Sequence, residues 1–444
     1  MQVPLLTDQA AYLNLLAPAM LNPNRFPLIV RQILPAEMRY DAVVRTVDYV
    51  WKKHDALRAT FRQGETGWEQ YIPCASENFR LDRASLRDLP PSEREAAVRR
   101  IAIDAASTLD IHSSMVRFVV VENIGEQEGE KELLICVHHL VCDLQSISVL
   151  CSDIATVARQ IMRDMQVATP KAYPYRDAAE IINSYASSPG LRVELDQWTK
   201  LPWQDLTPLP QADFGKTPTI VPRKLTATKS FNKTSKSRAL PEAFSGSMAV
   251  LGMALTSYFG GPVATELVHN GRSLQQRNPH ARHSRQDILQ LRDWILPRTV
   301  INTVGWFALS GTVILPSANR AYRALLESSL HAMPNLGAGY GILRHIGAPE
   351  VFDEMLIAKG RTPGVWTNYT TMSAYHSEFR TPFEWKFVDG GIDCFFRGTP
   401  LTLRVQEHSD RRRVAVTWDV KLHGEDAGYQ ILDLIRRSTE SQSC

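Results

Sequence analysis

Apolar positions along this chain recur with two periods, and the switches between them mark out its elements. Spacings of three and four predict helices over Pro4–Leu16, with Thr7 or Asp8 as N-cap, and over Tyr40–Lys53, where Ala42, Val43, Thr46, Val47 and Val50 share one face. Further helices are expected over Glu93–Ser107 and after Asp143, whose helix carries Leu144, Ile147, Leu150, Cys151, Ile154, Ala158 and Ile161 on one side. Strand-length apolar runs occupy Leu28–Leu34, the pair around Phe61 and Tyr71, Val116–Glu122 and Leu133–Val137, the last two joined by a polar turn over Ile124–Lys131. In the second half the pattern predicts helices over Ser245–Phe259, near Asp287–Trp294, Arg320–His331 and Ala427–Arg437. Strands are expected at Ala264–Val268, Val365–Tyr369, Leu401–Gln406 and Val414–Val420.

Helices and strands that alternate in this way describe layered α/β structure. A chain of 444 residues exceeds what one core usually serves, so two lobes are expected. The Pro-, Tyr- and Ser-rich stretch Ala168–Gly190 marks their boundary, giving lobes over residues 1–180 and 181–444. Pro202–Lys236, polar and basic, is expected to be an exposed connection.

Composition narrows the function classes. Apolar residues at 44% and charged residues at 22% are ordinary for a globular protein, and a net charge of +3 demands neither nucleic acid nor an anionic membrane. The six cysteines include no CxxC pair, which fits reduced thiols and a cytoplasmic location. No stretch reaches the roughly 18 apolar residues of a membrane span, and the N-terminus lacks a basic leader.

The candidate chemistry sits in LLICVHHLVCDLQSISVL, residues 133–150. On an extended strand Leu133, Ile135, Val137 and His139 face one way and Leu134, Cys136 and His138 the other. Histidines on opposite faces are poorly placed to share a metal ion, so no metal site is expected. His139 at the end of a buried strand suits a general base or an orienting hydrogen-bond acceptor, with ordinary packing as the alternative. Asp143 stands where an N-cap belongs.

HHLVCD resembles the HHxxxDG signature of the condensation and epimerization domains of nonribosomal peptide synthetases, within the CoA-dependent acyltransferase superfamily. Other segments resemble that family's motifs in the family's order: PLLTDQAAYL, KHDALRATF, YRDAAE with QWTKL, HNGRS and NTVGWFAL. The resemblance covers nearly the whole chain. It implies two chloramphenicol-acetyltransferase-like lobes in a V-shaped pseudo-dimer, with a tunnel between them and the histidines near its middle. It also implies a monomeric, free-standing member, since no length remains for adenylation or carrier domains. The expected partners are a carrier protein, whose phosphopantetheine arm would bring the substrate, and a small-molecule or carrier-bound nucleophile. No resident cofactor is expected.

By that resemblance His139, with His138 and Asp143, forms the catalytic motif: His139 as base or orienting group, His138 turned into the fold. Asp143 would pair with Arg272 of the GR segment, against the alternative that it only caps its helix. Trp306 and Tyr340 are candidates to line the tunnel or to belong to the core. Two positions depart from the family. Leu144 replaces its glycine and would narrow the donor's path. Val268 stands where the epimerization subgroup carries a catalytic glutamate, and valine can neither give nor take a proton; Glu266 lies two residues earlier on the same strand face. The expected activity is therefore condensation, forming an amide or an ester in natural-product biosynthesis. Epimerization of a carrier-bound aminoacyl thioester and a non-catalytic docking module are the alternatives.

Overall fold

The computed structural model describes residues 1–19, 22–74, 79–125, 129–210, 224–232, 240–272, 296–319, 321–347, 350–352, 354, 363–371, 385–387, 401–408 and 410–441. The charged helix expected near Asp287–Trp294 and part of the turn over Ile124–Lys131 lie outside these residues.

The histidine strand, Lys131–His138, is the third of five in the first sheet. Its neighbours are Pro27–Leu34 and Val116–Glu122, both antiparallel to it, with Leu81–Ser85 at one edge and Trp385–Phe387 at the other. Burial on both faces explains its unbroken apolar run. Leu133, Ile135 and Val137 join the largest core, while Leu134 and Cys136 pack with Val98 and Ala102 of the helix Pro91–Ser107. The helices Tyr40–Lys53 and Leu144–Met162 pack against each other in the large core.

A second sheet of six strands runs Ala308–Leu315, Val263–Asn270, Val365–Thr371, Leu401–Glu407, Arg411–Asp419 and Lys224–Asn232. Val365–Thr371 is parallel to both its neighbours and the remaining pairs are antiparallel. Helices Leu240–Phe259 and Ala427–Ser441 pack together beside this sheet, over a core built around Leu251, Val416, Trp418 and Ile431. A small sheet of Gln2–Val3, Gly67–Tyr71 and Thr60–Gly64 closes one flank.

Two expectations need correction. The stretch Pro202–Lys236 contains a strand, Lys224–Asn232, paired along its length with Arg411–Asp419. Ala227 and Phe231 are buried while Thr226, Thr228, Lys229 and Ser230 are exposed, the lysine and hydroxyl pattern of an edge strand that discourages further pairing. The first helix is capped neither by Thr7 nor by Asp8, both of which are buried within it. Its N-cap is Leu6, whose backbone N–H donates to Oε1 of Gln9 at 2.8 Å, so the glutamine three residues on supplies the capping bond.

One buried carboxyl makes the fold's stability depend on pH. Glu194, on the helix Pro189–Thr199, accepts hydrogen bonds from the Tyr185 hydroxyl and from Asn335 Nδ2, and burial pushes its pKa up to about 7. Because the folded carboxyl holds its proton more tightly than the unfolded one, the stability linked to this group is complete below the ordinary glutamate range and is lost as pH rises through about 7. Denaturant midpoints of the wild type should fall between about pH 5 and 7, and Glu194→Gln should flatten that dependence.

Candidate functional site

The first sheet delivers the two histidines to one place. Strand geometry ends at His138, and His139 opens a single 3-10 turn to Val141, so the alternation of faces stops between them. Both rings therefore approach Phe26, at 6.3 Å for His138 and 4.9 Å for His139, instead of facing opposite ways as the strand pattern predicts.

His138 is fully buried with both ring nitrogens engaged. Nδ1 accepts from the backbone N–H of Leu140 at 3.1 Å, and Nε2 lies 3.0 Å from the carbonyl oxygen of Pro23. That network assigns the proton to Nε2 in the neutral imidazole. Burial holds its pKa down to about 3, so it stays uncharged at physiological pH. The Tyr12 hydroxyl donates to the same Pro23 carbonyl, which ties the segment before Phe26 to the first helix and to the histidine strand.

His139 is only partly buried. Its backbone N–H donates to the Phe26 carbonyl at 2.8 Å, and its ring stacks on Phe26 at an interplanar angle of 16°. Trp306 covers it from another side, with centroids 4.4 Å apart. Of the two aromatic candidates, Trp306 thus lies against His139 while itself only 1% exposed. Tyr340 is fully buried with its ring against Trp198 and Phe352, and its hydroxyl donates to Glu266 at 3.3 Å.

Asp143 holds both roles that the sequence offered as alternatives, one on each oxygen. Oδ1 accepts the backbone N–H of Ser146 at 2.8 Å, which is the N-cap of the helix Leu144–Met162. Oδ2 accepts from Arg272 Nη1 at 2.5 Å and from the Phe307 backbone N–H at 3.0 Å. Arg272 and Asp143 are both buried, and the guanidinium lies over the Phe307 ring at 4.4 Å. Its Nη2 reaches Ser146 Oγ and the carbonyls of Thr303 and Gly305.

Ser146 is a site residue that sequence reasoning missed. Its hydroxyl lies 2.8 Å from both Asp143 Oδ1 and the Gly305 carbonyl, and it accepts from Arg272 Nη2 and from the Gly305 N–H. The signal available was its place three residues after a capping aspartate, which points at a cap and not at a junction. Two glycines allow this approach. A Cβ at Gly271 would stand 2.1 Å from the Phe307 carbonyl oxygen, and one at Gly305 would stand 2.6 Å from the Tyr175 ring. Gln9 Nε2 donates to the Leu140 carbonyl, so the first helix is fastened to the histidine turn as well.

The two departures from the family pattern are placed as follows. Leu144 is the first residue of its helix and half-buried. Val268 is half-buried and lies opposite Ser310, whose Oγ donates at 3.3 Å to the fully buried carboxylate of Asp8. Glu266 shares the strand face of Val268 but is 4% exposed, bound by Arg344 and by the Tyr340 hydroxyl.

A family model for the condensation domain matches residues 31–254, just over half of the chain. The chain belongs to the condensation-domain family. Curated relatives are far longer proteins. A linear gramicidin synthase subunit from Brevibacillus parabrevis is 27% identical over 323 residues, covering 70% of this chain and 6% of that protein. Surfactin synthase subunit 2 of Bacillus subtilis (strain 168) is 26% identical over 356 residues, covering 77% of this chain and 9% of that protein. The condensation-domain chain thus spans less than a tenth of either relative. Among solved structures, the epimerization domain from the third module of tyrocidine synthetase B superposes with a TM-score of 0.73 at 17% identity, over 100% of this chain and 98% of that one. A mutant of the starter condensation domain of rhizomide synthetase, in complex with C8-CoA and Leu-SNAC, gives 0.67 at 12% identity, over 99% and 94%. At those identities the likeness establishes the fold, the two-lobed arrangement of condensation-domain structures.

The Asp143–Arg272 pair has a measurable consequence. Removing one member of a buried pair strands the other charge, at a typical cost of about 3–5 kcal/mol. Arg272→Met should destabilise by that amount in urea unfolding, and Asp143→Asn by somewhat less, since the amide oxygen keeps the cap. The double variant should lose less than the sum of the two, a coupling of about 1–3 kcal/mol.

Proposed function

We propose that this condensation domain joins an acyl or aminoacyl thioester, carried on the phosphopantetheine arm of a carrier protein, to an amine or hydroxyl nucleophile, forming an amide or an ester. One observation carries the choice of acyl transfer over epimerization. Racemising a Cα centre needs an acid on one face and a base on the other, and Val268 offers neither at the subgroup's glutamate position. Glu266, its neighbour on the same face, is committed to Arg344 and Tyr340.

In this reading the nucleophile attacks the thioester carbonyl, its new bond to carbon forms, and the carbon–sulfur bond breaks. His139 takes the proton from the attacking nitrogen or oxygen and returns it to the departing thiolate, which leaves as a thiol. A thiol leaves readily, with an ordinary pKa near about 8.5, and an α-amine near about 7.7–8.0 is already partly deprotonated. An alcohol is not. Its attack depends on His139 as a true base, whereas an amine asks mainly for orientation. Leu144, in place of the family's glycine beside the histidine motif, is then a residue that restricts which donors enter.

The test is intact-mass analysis of candidate carrier-bound thioesters with amine and alcohol acceptors, with and without the protein. His139→Ala should slow ester formation by about 10²–10⁴-fold and amide formation by about tenfold or less. Equal losses would remove the division of labour. Deuterium uptake at Cα without a new bond would favour the epimerization reading instead, as the fold of the tyrocidine synthetase domain allows. Carrier binding with no turnover, indifferent to His139→Ala, would make the protein a docking module.

A further inference from the structure

His139 sits between two aromatic faces. Phe26 stacks on its ring at 4.9 Å and 16°, and Trp306 approaches at 4.4 Å and 47°. Behind them Tyr12 stacks on Phe26 at 5.1 Å and meets Trp306 at 6.1 Å, so the flanking rings support each other. The Phe26 side has a second hold. Its carbonyl accepts from the His139 N–H, and the Pro23 carbonyl three residues earlier accepts from both Tyr12 and His138.

An aromatic face is the negative end of a quadrupole, and it attracts an imidazolium more than a neutral imidazole. We propose that Phe26 and Trp306 form an aromatic clamp that fixes the plane of the His139 ring and favours its protonated form, making both of them positioning residues for acyl transfer. The inference rests on the reading of His139 as the proton-transfer group, and it concerns that same site. It gives the base a means of stabilising the charge it gains when the nucleophile is deprotonated.

Among the described residues, the ionisable groups on the elements around the clamp are placed as follows. Asp143, the cap of the following helix, is paired with Arg272, two residues past the strand Val263–Asn270. His138 is held neutral by burial and Tyr12 has its pKa raised by burial. Asp8, one turn before Tyr12 on the first helix, is turned to Ser310, and Arg25 beside Phe26 is exposed.

The experiment uses the full chain and needs no substrate. Histidines are labelled with carbon-13 at the ring position between the two nitrogens, the His139 signal is assigned by its loss in His139→Gln, and it is titrated by NMR. Phe26→Leu should lower the pKa of His139 by about 0.5–1 unit, the equivalent of one cation–π contact. Phe26→Tyr should restore it, and Trp306→Phe, which keeps a smaller π face, should lower it less than Phe26→Leu does. Should Phe26→Leu fail to fold, Phe26→Met removes the ring with a side chain of similar volume and takes its place. An unchanged His139 titration in the variant lacking the Phe26 ring overturns the clamp, whether or not turnover is detected. If the titration moves but no acceptor is acylated, the clamp stands and the assigned reaction falls. If both hold, the same variant should lower kcat with KM nearly unchanged, because the clamp acts on the proton transfer and not on substrate binding.

Discussion

A carboxylate buried at the head of a helix has to satisfy two oxygens away from water, and Asp143 does so by joining three segments far apart in the chain. One oxygen caps the helix Leu144–Met162 through the Ser146 N–H; the other takes Arg272 Nη1 and the Phe307 N–H. Arg272 follows a strand of the six-stranded sheet by two residues, and Phe307 immediately precedes another strand of it. The helix belongs with the five-stranded sheet through the large core. Desolvation makes this junction demanding, since each partner removed leaves a charge or a donor stranded in apolar surroundings. Gly271 and Gly305 are required at the same point, because any side chain there would collide with the Phe307 carbonyl or the Tyr175 ring.

The histidine motif divides its work by hydrogen bonding and exposure. His138 uses both ring nitrogens on backbone groups and is kept neutral, so it acts as a structural link between the strand end, the Pro23 carbonyl and the turn at Leu140. His139, one residue later, leaves the strand and keeps part of its ring accessible. That difference arises from where the strand stops, and it separates an imidazole with both nitrogens engaged in the fold from one whose ring is partly accessible.

The second half of the site keeps the family backbone and fills it with side chains of its own. The strand Val263–Asn270 still presents residues 266 and 268 on one face. Valine fills one position, and the carboxylate at the other is neutralised by Arg344 and Tyr340. A superposition on an epimerization domain over the whole chain therefore describes the backbone and leaves the reaction to individual side chains.

Much of this could be read from the sequence. Helical and strand periods gave Tyr40–Lys53 and Val116–Glu122 with their observed limits, and Lys131–His138 to within two residues, because buried faces impose their spacing directly on the chain. The motif residues His138, His139, Asp143 and Arg272 were also legible, since each is set by residue type at a fixed local position. Other features were not. The edge strand Lys224–Asn232 is half polar and gains its conformation from its partner strand, so its own pattern is weak. Phe26 and Ser146 carry no periodic signal that distinguishes a site residue from a loop aromatic or a cap. Their roles come from rings and hydroxyls brought within about 3–6 Å of partners far away in the chain, as between Phe26 and Trp306 or Ser146 and Gly305. The sequence by itself determined which chemical groups the protein would carry and the elements that bear them. Only the tertiary structure decided which of those groups meet, because desolvation, ring stacking and charge pairing depend on distances that chain order does not contain.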